Sequence, residues 1–147
     1  MNIDLAYRIV DKSRFIRKRF DESVRDHELT GPQARLLLLL ERQPGNRQTV
    51  YADALEVEPI TLCRMVDRLE EGGWLIRVPD PDDRRARLLQ PTGKSQEITA
   101  ALRETIDSML NDLLSGLTQN EATELARLLD KVGAPADAAI TLEAAHG

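Results

Sequence analysis

One cysteine, Cys63, stands among 147 residues, so no disulfide can form within the chain. Aromatic residues make up only 3%, while leucine and alanine are abundant, which favours a mainly helical protein. The longest apolar run, Leu36 to Leu40, is far too short to span a bilayer, and no secretory leader precedes Asn2-Ile3-Asp4. A soluble cytoplasmic protein with no membrane partner is the expectation. His27 and His146 are too far apart, and too isolated, to suggest a metal site. No nucleophile with its base, paired-carboxylate site or phosphate loop is recognisable, so neither an enzyme nor a cofactor is expected.

What charge there is leans negative, at −5 overall. The deficit is concentrated near the end: Thr118 to Gly147 holds Glu121, Glu124, Asp130, Asp137 and Glu143 against Arg127 and Lys131. From Pro59 to Lys94 seven bases face six acids, so any binding of a polyanion there depends on how the arginines are oriented rather than on net charge.

That middle segment is the most informative. Leu62, Met65, Val66 and Leu69 recur at the spacing of one apolar helix stripe, while Ile60, Thr61, Arg64 and Arg68 fall largely on other faces. Pro59 suits a first helical turn, and Gly72-Gly73 supplies a stop that tolerates left-handed backbone. Trp74 to Val78 and Ala86 to Gln90 then read as two short strands. Between them Pro79-Asp80-Pro81-Asp82-Asp83-Arg84-Arg85 reads as a charged hairpin tip, from which a guanidinium can enter a minor groove or fork onto phosphates. Pairing should end at Pro91, which has no N–H to give.

The flanking pattern is helical. Ile3 to about Arg25 reads as one long amphipathic helix. Thr30 can cap a second, from Pro32 to about Arg42, whose five consecutive leucines require burial on more than one face. After a turn at Gln43-Pro44-Gly45-Asn46, Gln48 to Leu55 is a short helix joined by Glu56-Val57-Glu58 to the next, making a helix-turn-helix. Glu56 in left-handed backbone would cost about 1 kcal/mol, so a different turn geometry is expected. Thr92 can cap a helix from Gly93 to about Leu114, with Ile98, Leu102, Ile106, Met109 and Leu113 on one stripe. Thr118-Gln119-Asn120-Glu121 has capping-box spacing and opens a helix through Leu125, Leu128, Leu129 and Val132. Gly133-Ala134-Pro135 ends it, and an Ala-rich tail can add a last weak turn.

Val66-Asp67-Arg68-Leu69-Glu70, Gly73, Trp74-Leu75-Ile76, Asp83-Arg84-Arg85 and Thr92 together resemble the winged helix-turn-helix of the MarR family of transcription regulators, and within it the SlyA-like branch. The sequence departs from the family pattern at Glu56, where Gly is common, and at Pro91, where Leu usually precedes the threonine. The resemblance implies a mainly α fold with a small β-hairpin wing. Residues 1–147 would form a single MarR-type domain, with 30–92 as its winged DNA-binding part and 1–29 and 93–147 as its helical dimerisation part. The long helices can pack around the winged part in a monomer or meet a copy of themselves across a two-fold axis. The resemblance favours the homodimer, which would set two reading helices about one DNA turn apart on a pseudo-palindromic operator.

Double-stranded DNA is the expected partner. Pro59, Ile60 and Thr61 sit at the helix end that enters a major groove, where Ile60 can touch a thymine methyl. Arg64 and Arg68 can read guanine edges or hold phosphates, or pair with Asp67 or Glu71. By the resemblance Arg85 belongs in the minor groove, with Asp83 orienting an arginine; Arg84 and Arg87 are phosphate candidates, as are Gln48 and Thr49 at the start of the supporting helix. Cys63 lies beside the apolar stripe, where an inert thiol is the simpler reading than a redox sensor. The expected function is a DNA-binding repressor, of the kind involved in stress responses, released by a small aromatic or phenolic effector. The alternative is a winged-helix protein-interaction module, which leaves Arg64 and Arg85 without a role.

Overall fold

A computed structural model describes residues 3–133 of the chain. The elements run α1 (Ile3–Val24), a single 3-10 turn (Arg25–His27), α2 (Gly31–Arg42), α3 (Gln48–Leu55), α4 (Pro59–Glu71), β1 (Leu75–Asp80), β2 (Asp83–Pro91), α5 (Gly93–Leu113) and α6 (Gln119–Leu129). This is the mainly helical, winged arrangement expected. None of the described helices is long and apolar enough to cross a membrane. The Ala-rich tail beyond Gly133 lies outside the described residues.

Helix starts follow the capping chemistry. Thr30, Thr92 and Thr118 each accept the backbone N–H three residues on, and Gln33, Ser95 and Glu121 reach back to the cap N–H in return. α6 stops at Leu129, short of Val132, because the next amides fold back in three-residue turns, Lys131 to Leu128 at 3.1 Å and Val132 to Leu129 at 3.0 Å.

The core joins all parts of the winged region. Leu36, Leu37 and Leu40 of α2 are buried with Tyr51 of α3, Leu62, Val66 and Leu69 of α4, Leu75 and Leu89 of the strands, and Leu102 of α5. Leu38 and Leu39 pack against this cluster from its margin, so the leucine run of α2 is covered on several sides as its pattern requires. Each fully buried leucine contributes about 1.5–3 kcal/mol relative to exposure. α1 is different: only Val24 is buried along it, and Ile3, Tyr7, Val10, Phe15 and Ile16 lie open. α6 has no buried residue and exposes Leu125, Leu128 and Leu129.

Two junctions set the helix-turn-helix. The α3–α4 turn corrects the expectation at Glu56, which does adopt left-handed backbone with φ 55° and ψ 42°. Two bonds hold it there: Val57 N–H donates to Ala52 O at 3.0 Å and Glu56 N–H to Asp53 O at 3.2 Å. The tertiary turn therefore overrides the side chain's preference. At the other end of α4, Gly73 takes φ 77° and Trp74 N–H returns to Leu69 O at 2.9 Å, which releases the chain into β1.

Candidate nucleic-acid interface

α4 presents a buried stripe and an open face. Leu62, Val66 and Leu69 are buried, whereas Pro59, Ile60, Thr61, Arg64 and Arg68 are exposed. Ile60 is 61% exposed, an apolar side chain left in water at the helix start. Among the described residues, neither Arg64 nor Arg68 has a hydrogen-bonded or ionic side-chain partner, because Asp67 is taken by Arg77 instead, at 2.6 Å. The alternative pairing of these arginines with Asp67 or Glu71 is not what the fold adopts.

The wing is longer and tighter than the sequence suggests. β1 and β2 pair antiparallel from Leu75 with Pro91 to Pro79 with Arg87, and the register then jumps to Asp80 with Asp83. Pro91 ends the ladder as expected. The tip is only Pro81-Asp82, so Arg84 and Arg85, expected at the tip, lie on β2 in a bulge with Ala86, opposite no residue of β1. Pro79 cannot donate to a continuing ladder, which accounts for the break at this point, and a bulge re-aims the side chains it carries. Arg84, Arg85 and Arg87 are exposed and, among the described residues, free of ion pairs.

Asp83 orients the bulge. Its Oδ1 accepts the Arg85 backbone N–H at 2.9 Å, and its Oδ2 lies 3.8 Å from Nη1 of Arg47 rather than against the Arg85 guanidinium. Asp80 is nearly buried: one oxygen accepts from the Asp82 N–H at 2.8 Å and the other from Arg47 Nε at 2.8 Å, with Arg47 Nη2 in ion-pair contact at 2.7 Å. The Asp82 amide is the largest cause that holds its carboxyl below the usual carboxylate range; burial opposes it, and the hydrogen bond and charge of Arg47 add to the lowering.

The start of α3 meets β2 across a cleft of about 350 Å³ lined by Arg47, Gln48, Thr49, Arg85, Ala86 and Arg87. Thr49, Arg85 and Arg87 are thus brought together. Gln48 is committed elsewhere, its Oε1 accepting Arg77 Nε at 2.8 Å. The residue before this helix, Arg47, also bridges to Leu88 of β2, giving the wing a short third edge.

Arg47, Asp80 and Arg77 are the positions sequence reasoning missed as organisers of the site. Arg47 and Asp80 are 33 residues apart, and no local pattern links them. Arg77 offered a faint signal, a lone arginine in an otherwise apolar strand. Cys63 is partly buried, with Sγ 3.9 Å from Arg77 Nη2. Among the described residues no cluster of His, Cys, Asp or Glu is arranged to hold a metal ion.

Residues 29–86 match the sequence model of the MarR family. The chain is similar to the uncharacterised HTH-type transcriptional regulator YybA of Bacillus subtilis, with 29% identity over 108 residues, covering 74% of this chain and 72% of that one. It superposes on a cysteine-to-serine mutant of MarR from E. coli complexed with operator DNA, with a TM-score of 0.76 and 26% identity over 88% of this chain and 94% of that one. It is similar also to the transcriptional repressor CouR bound to a 23-mer DNA duplex, with a TM-score of 0.75 and 27% identity, covering 87% and 91% of the respective chains. Residues 29–86, which hold α2, α3, α4 and most of the wing, are thus similar to the winged helix-turn-helix of the MarR family.

Proposed function

We propose that the protein is a dimeric, sequence-specific DNA-binding regulator of transcription. The observation that carries this reading is the set of five exposed guanidinium groups without ion pairs among the described residues, Arg64 and Arg68 on α4 and Arg84, Arg85 and Arg87 on β2. Four of the six acids between Pro59 and Lys94 are occupied, Asp80 and Asp83 with Arg47 and Asp67 and Glu70 with Arg77, while Glu71 and Asp82 are exposed with no ion pair among the described residues. α4 enters a major groove with Pro59, Ile60, Thr61 and Arg64, and the bulge of β2 carries Arg85 to the adjoining minor groove. Arg84, Arg87 and Thr49 take phosphates, Arg68 supports them, and Gln48 and Asp83 act by holding neighbours in place.

The open apolar faces of α1 and α6 supply the dimer contact, and the two related structures with bound DNA support the same mode of use. Repression is the direction we assign, within the SlyA-like branch. A cleft of about 440 Å³ between α1 and α5, lined by Arg19, Ser23, Asp26, Glu104, Thr105, Ser108, Met109 and Asp112, is the place for an effector. Three carboxylates against one guanidinium favour a neutral phenol there over an aromatic acid.

Salt-titrated binding to the duplex upstream of its own gene tests this. Arg85→Ala should weaken operator and non-operator binding alike and lower the salt slope by about one, whereas Arg64→Ala should also relax base preference. Parent-like affinity of both variants would refute the contacts.

A further inference from the structure

One side chain in the winged part ties its own strand to two other elements at once. From β1, Arg77 donates through Nε to Gln48 Oε1 on α3 at 2.8 Å, through Nη1 to Glu70 Oε1 on α4 at 2.8 Å, and through Nη2 to Asp67 Oδ1 on α4 at 2.6 Å. Nη2 also lies 3.5 Å from the Cys63 carbonyl oxygen, and the Arg77 backbone N–H donates to the second Glu70 oxygen at 2.9 Å. The side chain is only 18% exposed, so its charge is spent inside the protein. Partial burial works against the charged form, but the hydrogen bonds and charges of Asp67 and Glu70 outweigh it and raise the guanidinium pKa.

We infer that Arg77 is the positioning residue of the nucleic-acid interface: its planar fork fixes α4, which carries Arg64 and Arg68, relative to α3 and the wing. The inference rests on the DNA-binding reading above. A guanidinium is suited to this because its donors have fixed directions in one plane, and here they point at three acceptors on two other elements. A lysine would retain the charge but could not satisfy the same acceptors in that geometry. Asp67 shares a helix with the reading arginines and is 55% exposed, so a role limited to charge neutralisation makes the opposite prediction for its removal.

The test compares Arg77→Lys and Asp67→Asn with the parent chain, using a specific duplex, a scrambled duplex and amide hydrogen exchange of the free protein. Arg77→Lys should lose about tenfold in affinity for the specific duplex, with less discrimination against the scrambled one and an unchanged salt slope. Asp67→Asn adds net positive charge, yet should gain no affinity for the specific duplex and should discriminate less. In the free protein, exchange at β1 and the C-terminal half of α4 should quicken in both variants while that of α5 stays as in the parent. Discrimination by Arg77→Lys within about twofold of the parent overturns the inference, and so does a salt slope lower by about one, the mark of a direct phosphate contact. Tighter specific binding by Asp67→Asn overturns it in favour of simple charge balance. If the parent binds no duplex, the DNA-binding reading fails by itself; the exchange measurement then decides alone whether Arg77 clamps the three elements, and unchanged exchange refutes it.

Discussion

Tyr51 anchors the turn that leads into α3, and removing its hydroxyl gives a loss that can be worked out from its bonds. The side chain is fully buried. Its hydroxyl donates to Gln43 O at 2.5 Å and accepts the Asn46 N–H at 3.2 Å. In Tyr51→Phe the Gln43 carbonyl keeps one donor, Asn46 Nδ2 at 3.1 Å, so the orphaned group is the Asn46 amide. A net hydrogen bond is worth about 1 kcal/mol and an orphaned amide costs about 1–3 kcal/mol when water is excluded. Asn46 is only half-buried, which lets water relieve part of that cost, and the expected loss is about 1–2 kcal/mol. For a chain of this size that lowers Tm by about 3–6 °C. Urea unfolding at fixed protomer concentration measures it, with Tyr7→Phe, exposed at 62%, as the control. Equal losses in the two variants would refute the anchoring argument.

The same hydroxyl sets a pH dependence. Burial, its largest cause, holds the Tyr51 pKa above the ordinary 10.0. A raised pKa means that the stabilisation is present below the unfolded value and lost as pH rises through the folded one. The parent should therefore lose stability in strong alkali more steeply than Tyr51→Phe. Because Gly45 N–H donates to Leu89 O and Asn46 O accepts Leu89 N–H, the Leu89 amide should also exchange faster in the variant.

Three further outcomes follow from single features. Glu56→Gly removes a left-handed non-glycine residue and should stabilise the chain by about 0.5–1 kcal/mol in chemical denaturation; a loss would contradict the turn geometry. Asp80 has a depressed pKa, so its stabilisation is present above the unfolded 3.8 and is lost as pH falls through the folded value; Asp80→Asn should flatten the acid limb of wing exchange, and an unaltered limb would place the acid sensitivity elsewhere. Leu125→Glu with Leu128→Glu puts two charges on the open face of α6 and should halve the mass seen by sedimentation, whereas an intact dimer would remove that face from the assembly.

Periodic and capping signals act over three or four residues, and what they control was legible. The bounds of α3 and α4, the threonine caps and the glycine exit at Gly73 follow from residues adjacent in the chain. The wing tip was not, because Pro79-Asp80-Pro81 carries turn chemistry at every position, and only the cross-strand register shows that pairing resumes at Asp80 and Asp83. Glu56 was misjudged for a related reason. Its intrinsic preference is weak beside the two backbone bonds and the packing of Val57 that hold the turn. Of the site, the exposed residues of α4 and β2 were identifiable, while the two arginines that organise them were not, since their partners lie on other elements.

Those two arginines also explain how a chain of net charge −5 can offer a cationic face. Arg47 takes Asp80 and lies close to Asp83; Arg77 takes Asp67 and Glu70. Asp67 and Glu70 share α4, and Asp83 shares β2, with the exposed arginines, while Asp80 ends the neighbouring β1; the bonds hold these carboxylates in fixed positions. A mobile acid beside Arg64 or Arg85 would fold over it and compete with phosphate as its partner; an acid bonded to Arg47 or Arg77 cannot. The surplus of one base between Pro59 and Lys94 therefore understates the surface, because the field near a groove depends on which charges are free to approach it. Lysines could balance the same charge in place of Arg47 and Arg77, but they would not hold the acids by several directed bonds at once, and the face would lose its order before it lost its charge.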